Sequence, residues 1–303
     1  MQNWKKLGQI YYCKPIDEYL LSHASNPLAI HLKDDIYRVF FSGRDKENKS
    51  SVGYVDINII EKIVLSTCKE VVVKYGDEDS FYSHGISIGN MYKIEDKNYI
   101  QFMAWQIRNG GHWRGDIGRL ELNDNLDSLK LNPNSVYIGC NEEDKVSLSY
   151  SWIMKDEGIY KMWYGSTIDW SSPNGEMVHV IKYATSSDGE NWERKGLAIP
   201  YEIGVAQAFS RPTVVKDKED YHMWFSYRSG NGTKYRIGYA HSLDGITWDR
   251  KKDSGIDVSE SGWDSEMICY PFVFEHKSKI YMLYNGNDYG KEGFGLAVLE
   301  DNK

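Results

Sequence analysis

A short aromatic motif recurs along this chain at nearly constant spacing, and no other feature of the sequence restricts its fold as strongly. The copies begin at Tyr37 (Tyr-Arg-Val-Phe-Phe), Tyr99 (Tyr-Ile-Gln-Phe-Met), Tyr160 (Tyr-Lys-Met-Trp-Tyr), Tyr221 (Tyr-His-Met-Trp-Phe-Ser-Tyr) and Tyr281 (Tyr-Met-Leu-Tyr-Asn), at steps of 62, 61, 61 and 60 residues. Each copy is rich in aromatic and β-compatible residues and follows a polar turn such as Glu95-Asp-Lys-Asn98 or Lys216-Asp-Lys-Glu-Asp220. Strand, tight turn, strand is the simplest reading of each copy. A single hairpin cannot cover both of its faces, so five related units must cover one another, as a radial array does.

The expected fold is therefore all-β: a five-bladed β-propeller with blades of four antiparallel strands, forming one domain over residues 1–303. The blades fall at about 23–66, 79–131, 146–196, 206–251 and 262–300. The last of these is one strand short, while residues 4–13 form a strand with no neighbour of their own. Pairing 4–13 outside Phe294–Leu299 supplies the missing strand, closes the ring and covers a bare sheet edge. Blades three and four also share Ser-x-Asp-Gly-x-x-Trp, at Ser186–Trp192 and Ser242–Trp248, which reads as an Asp-Gly turn followed by an aromatic plug. Trp163 and Trp224, deep in apolar strands, read as core.

A formal charge of -8 and the absence of any Lys/Arg block argue against nucleic acid or an anionic membrane as partner. No apolar run reaches membrane-spanning length, and the start of the chain does not read as a secretory leader, so a cytoplasmic location is expected. Cys13, Cys68, Cys140 and Cys269 are far apart and lack a Cys-x-x-Cys or a paired His, so no metal site and no cofactor is expected. A homodimer is left open.

The aromatic repeat with its polar turns and the two Ser-x-Asp-Gly-x-x-Trp motifs resemble those of the five-bladed β-propeller carbohydrate-active enzymes, the arabinanase, xylosidase, invertase and mannoside phosphorylase group. That resemblance spans the whole chain. It implies a central pocket at which the inner strands of the blades present acidic residues to a glycosidic bond. Position by position, however, most of those acids are missing. Asn26-Pro27 stands in blade one where the group has an acid beside Pro, blade two has Ser83-His84-Gly85, blade three has Ser147, Ser149 and Tyr150, and blade four has Gln207, Ser210 and Arg211-Pro212. Blade five alone keeps a carboxylate, Glu266, ahead of Tyr270-Pro271.

Ordinary glycosidases need two carboxylates across the bond. With one, three routes stay open: attack by an anionic co-substrate, a substrate that carries its own activated leaving group, or binding without cleavage. The expected catalytic groups are Glu266, then His84. The expected sugar-binding residues are His23, Asn26, Arg44, Trp105, Arg108, Arg211, Arg228, Tyr270 and Asn287. Arg44, Arg211 and Arg228 at corresponding strand ends of an acidic protein point to an anion, because guanidinium forks grip phosphate or carboxylate. The expected function is that of a carbohydrate-active enzyme, glycoside hydrolase- or phosphorylase-like, acting on a sugar phosphate, nucleotide sugar or acidic sugar in surface-polysaccharide metabolism. The alternative is a non-catalytic sugar-binding propeller that partners a glycosyltransferase.

Overall fold

The structure is a computed structural model, and it describes residues 2–107, 111–131, 136–218 and 220–300. Among these residues the chain is all-β, and its only helical element is a single turn at Asn287–Gly290. The first strand, β1 (Trp4–Tyr12), does not pair with the one that follows it. Next come β2 (Ser22–Lys33), β3 (Ile36–Arg44), β4 (Ser50–Asn58) and β5 (Ile63–Thr67), joined in that order as an antiparallel group. A second group comprises β6 (Gly85–Ile94), β7 (Lys97–Ile107), β8 (Trp113–Leu122) and β9 (Leu129–Leu131); a third, β10 (Ser147–Asp156), β11 (Ile159–Asp169), β12 (Val178–Ser186) and β13 (Glu193–Leu197). The fourth holds β14 (Ala208–Asp217), β15 (Asp220–Arg228), β16 (Arg236–Ser242) and β17 (Asp249–Lys251), and the fifth begins with β18 (Cys269–His276), β19 (Lys279–Asn285) and β20 (Gly293–Leu299). Strand β1 completes this last group, pairing antiparallel outside β20 from Trp4 opposite Leu299 to Tyr12 opposite Gly293.

The repeated aromatic motif forms β3, β7, β11, β15 and β19, the second strand of each group. These strands carry near-continuous apolar runs because neighbouring groups cover both of their faces. In β3, Val39, Phe40, Phe41, Ser42 and Gly43 are all buried, and in β11 Trp163 and Tyr164 are fully so. Burying such a side chain contributes roughly 1.5–3 kcal/mol by area alone. The Ser-x-Asp-Gly-x-x-Trp motif makes the turns from β12 to β13 and from β16 to β17. Asp244 Oδ1 accepts from the N–H groups of Ile246 and Thr247, Gly245 adopts φ 74°, and the Trp248 indole donates back to Gly245 O at 3.0 Å.

Consecutive groups are joined by polar side chains on their first and second strands. The Ile88 N–H of β6 donates to Ser42 Oγ of β3 at 2.9 Å, and Asn90 exchanges two hydrogen bonds with the Ile153 backbone of β10. A parallel bridge sets His179 beside Ala208, and the Tyr270 N–H donates to Ser226 Oγ at 2.7 Å. Asn285 of the fifth group bonds Asn26 and Ala24 of the first. No helix of the described residues is long and apolar enough to cross a membrane.

Candidate functional site

The register of all five inner strands breaks at the same level. It slips between Ser25 and Leu28 in β2, Ile88 and Met91 in β6, Ser149 and Ser151 in β10, Ser210 and Thr213 in β14, and Cys269 and Phe272 in β18. In β2, β14 and β18 the displaced residue is left-handed, Asn26 at φ 57°, Arg211 at 48° and Tyr270 at 54°, and each is followed by proline. A left-handed conformation at a non-glycine residue is costly, and such strain gathers at functional sites. A bulge also re-aims side chains and ends the ladder. Here it turns the inner strands toward a cavity of about 260 Å³.

All five groups line that cavity. Ser25, Ser87, Ser149 and Ser210 stand at the bulges of four inner strands, with Asn26, Tyr150 and Tyr270 beside them. Trp105, Trp113, Tyr235 and Tyr289 supply aromatic surface, and Arg44 and Arg228 supply charge. No aspartate or glutamate is among the described lining residues. The wall is therefore rich in hydroxyl donors and in cations, and it lacks the paired acids that protonate a glycosidic oxygen and activate water.

The three arginines of the sequence reading have different situations. Arg44, on the last residue of β3, lines the cavity and makes no ion pair or side-chain hydrogen bond among the described residues. Arg228, at the end of β15, also lines it, but Nη2 is held by Glu176 Oε1 at 3.0 Å, and its guanidinium lies 4.8 Å from the Tyr235 ring centre. Arg211 does not line the cavity. It is 3 % exposed and donates to the main-chain carbonyls of Ile88 and, at 2.8 Å, of Pro27, so its fork ties β14 to β6 and β2 beneath the bulges. Expected as a sugar ligand, Arg211 is instead engaged inside the protein, and removing it would strip two buried carbonyls of their donor. Burial lowers its pKa to about 10, with only the tyrosines Tyr150 and Tyr270 and Cys269 opposing, so it stays charged at neutral pH with no carboxylate beside it.

Sequence reading passed over a second polar feature of the wall, the His179 ring. Its Nε2 lies 2.6 Å from Ser149 Oγ and its Nδ1 2.7 Å from Thr167 Oγ1. Gly165 leaves room for the pair, since a Cβ there would come within 2.0 Å of Ser149 Oγ. Complete burial and then the Arg228 charge lower the His179 pKa to about 3, so the imidazole is neutral, one ring nitrogen donating to its hydroxyl partner and the other accepting from its own. The only sequence signal for this arrangement is Thr167 and His179 facing one another across β11 and β12, which needs the register to be known.

Of the remaining expected residues, Asn26, Trp105 and Tyr270 line the cavity. The Trp105 Nε1 donates to Ser50 Oγ at 2.9 Å. His23 lies behind Arg44: its Nδ1 is 2.9 Å from Ser22 Oγ, and burial, with help from Arg44 and Lys291, lowers its pKa to about 4. His84 does not line the cavity but lies tilted against the lining Trp105, ring centres 5.6 Å apart, with its pKa lowered by partial burial and by Lys49. Glu266 is placed elsewhere. Strand β18 starts only at Cys269, and the Glu266 side chain is 58 % exposed and paired with Lys234, outside the lining. Asn287 explains this placement, since its Oδ1 accepts the N–H groups of Glu266 and Met267 at 2.8 and 3.0 Å and pins that backbone at the surface. Asn287 is thus a loop cap and does not line the cavity either. Arg108 lies outside the described residues. Among those residues, no group of three or more His, Cys, Asp or Glu side chains is placed to hold a metal.

No family model matches the chain. The Mycobacterium tuberculosis protein Rv1502, an uncharacterized protein, is 38% identical over 301 residues, covering 98% of this chain and 99% of its own. Among solved structures, a protein described as a glycoside hydrolase superposes with a TM-score of 0.77 at 12% identity, covering 98% of this chain and 93% of that one. The endo-arabinase from Bacteroides thetaiotaomicron superposes with a TM-score of 0.69 at 13% identity, covering 97% and 99% respectively. The fold is thus that of the β-propeller glycoside hydrolases of the arabinanase and invertase type, at identities that speak for the fold alone.

Proposed function

The chain belongs to the family of the Mycobacterium tuberculosis protein Rv1502, and we propose that it is a carbohydrate-active propeller that holds an anionic sugar in its central cavity. In this reading the five strand groups are five blades of one domain, and β1 closes the ring. One observation carries the proposal: guanidinium groups line the cavity, Arg44 among them without a partner, while no carboxylate does so among the described residues. Unpaired charge in a partly desolvated pocket is costly unless a ligand answers it. Serine hydroxyls and tyrosine and tryptophan rings suit the hydroxyls and the apolar face of a sugar ring. The four free cysteines fit a reducing, cytoplasmic setting.

The lining also bears on chemistry. Retaining and inverting hydrolysis both require two carboxylates flanking the bond. With Glu266 at the surface and no acid in the wall among the described residues, we assign the cavity to binding an anionic sugar, and any turnover there to a route other than two-carboxylate hydrolysis.

A thermal-shift screen of the full chain against sugar phosphates, uronic acids, nucleotide sugars and the parent neutral sugars tests the reading, because a ligand that binds only the folded state raises its melting temperature by mass action. Anionic sugars are expected to shift the transition and neutral ones are not. Equal response to neutral sugars, or turnover of neutral aryl glycosides, would overturn it.

A further inference from the structure

The charges around the cavity do more than prefer an anion, because they set how much negative charge the ligand brings. Arg44 lines the wall unpaired, Arg228 is paired with Glu176, and Arg211 lies buried beneath the floor with no carboxylate at all. With Lys291 and Asp288, which both act on His23 beside Arg44, four cations against two carboxylates leave two positive charges around one pocket. A sugar carboxylate would neutralise one of them. A phosphomonoester carries roughly -1.5 to -2 at neutral pH and offers acceptor oxygens in the geometry that guanidinium forks grip.

Size separates a simple sugar phosphate from a nucleotide sugar of equal charge. Each water takes about 30 Å³ of liquid, and sites that enclose drug-sized ligands run to about 300–1,000 Å³. At about 260 Å³ the cavity matches one sugar ring with its phosphate more closely than a nucleotide sugar, which adds a ribose and a base. Two of the lining aromatics, Trp113 and Trp105, are also engaged by neighbours. His112 stacks on Trp170 at 4.7 Å, Trp113 stands edge-on to Trp170 at 4.8 Å, and the Trp105 indole is held by Ser50.

The corner around Arg44 is the place for the phosphate. Lys291 lies near enough to act with Arg44 on His23, opposed by Asp288, so two cationic groups, from β3 and from the loop before β20, meet one carboxylate there. The sugar ring then faces the serines of the bulged strands.

Resting on the anionic-sugar reading above, we propose that the ligand is a monosaccharide phosphomonoester, with its phosphate on Arg44 and its ring over Ser25, Ser87, Ser149 and Ser210.

Titration calorimetry on the full chain tests this with hexose 1-phosphates, hexose 6-phosphates, the matching uronic acids, inorganic phosphate and uridine-diphosphate hexoses as probes. At least one hexose monophosphate is expected to bind ten times more tightly than the matching uronic acid or than inorganic phosphate. Arg44→Ala should weaken that binding by about 10- to 100-fold, the range for a lost hydrogen bond to a charged group, and Arg44→Lys should recover part of it. Melting curves of both variants check that the fold persists. A uronic acid or a uridine-diphosphate hexose that binds as tightly as any monophosphate overturns the phosphomonoester and leaves the anionic-sugar reading standing. Unchanged monophosphate affinity in Arg44→Ala overturns the placement of the phosphate. No binding by any anionic sugar removes both readings.

Discussion

The Asn26 N–H donates to Asn285 Oδ1 at 2.9 Å, and the same Asn285 amide donates through Nδ2 to Ala24 O at 2.8 Å and to Gly293 O at 2.9 Å. One fully buried side chain therefore serves β2, β20 and its own strand β19, joining the last strand group to the first directly beside the bulge that turns Asn26 into the cavity. Asn285→Ala leaves a buried N–H and two buried carbonyls without this partner. At roughly 1–3 kcal/mol for each buried group left unsatisfied, the urea midpoint should fall clearly while the m-value holds. A midpoint equal to that of the unmodified chain would show that the joint is not made by this amide.

Strand β1 makes a further contact between the chain's two ends. It pairs with β20 along its length and sets Trp4 edge-on against Trp224 with ring centres 5.6 Å apart. Deleting residues 2–13 exposes the β20 edge and uncovers Trp224, so the melting temperature should drop by several degrees at the least. A truncated chain that melts with the intact one would mean that β1 adds nothing to the fold.

Two buried histidines contribute to the acid limb of stability. Free histidine titrates near 6.5, whereas folded His23 is held down to about 4 and His179 to about 3, both chiefly by burial. As pH falls below 6.5 the unfolded chain takes up protons that the folded chain refuses, so stability declines from there through pH 4 and, for His179, toward 3. His23 alone accounts for about 3 kcal/mol over its window, at about 1.4 kcal/mol per pH unit. Urea titrations at pH 7.5, 5.5 and 4.5 should show a steep loss that His23→Gln makes shallower. An unchanged slope in that variant would place the acid sensitivity elsewhere.

Glu266 should tolerate substitution. Its side chain is solvent-exposed and its partner Lys234 is also at the surface, where such pairs contribute about 0–1 kcal/mol. Glu266→Gln is expected to leave the melting temperature, and the affinity for whichever anionic sugar the screen finds, close to those of the unmodified chain. A tenfold loss of binding or of turnover would restore Glu266 to the site.

The sequence by itself determined the periodic part of this protein. Five aromatic strands about 60 residues apart, the Asp-Gly turns closed by Trp192 and Trp248, and an unpartnered first strand follow from local pattern and from the need to cover apolar faces. Asn26, Arg44, Trp105, Arg228 and Tyr270 line the cavity where the repeat led one to expect them, because a strand end in a known repeat has a known neighbourhood. What the tertiary structure decided is the direction of each side chain at the bulges, where register slips and the two-residue alternation fails. Proline after Asn26, Arg211 and Tyr270 marks those positions, but only the packing turns Asn26 and Tyr270 into the cavity and sends Arg211 beneath it to the carbonyls of Pro27 and Ile88. Glu266 and His179 make the same point from opposite sides. Three residues of loop and the Asn287 cap carry Glu266 to the surface, while the pairing of β11 with β12 brings His179 to Ser149, thirty residues away in the chain. Composition and spacing are local quantities, and a charge answered by residues from other strand groups becomes visible only when the strands are brought together.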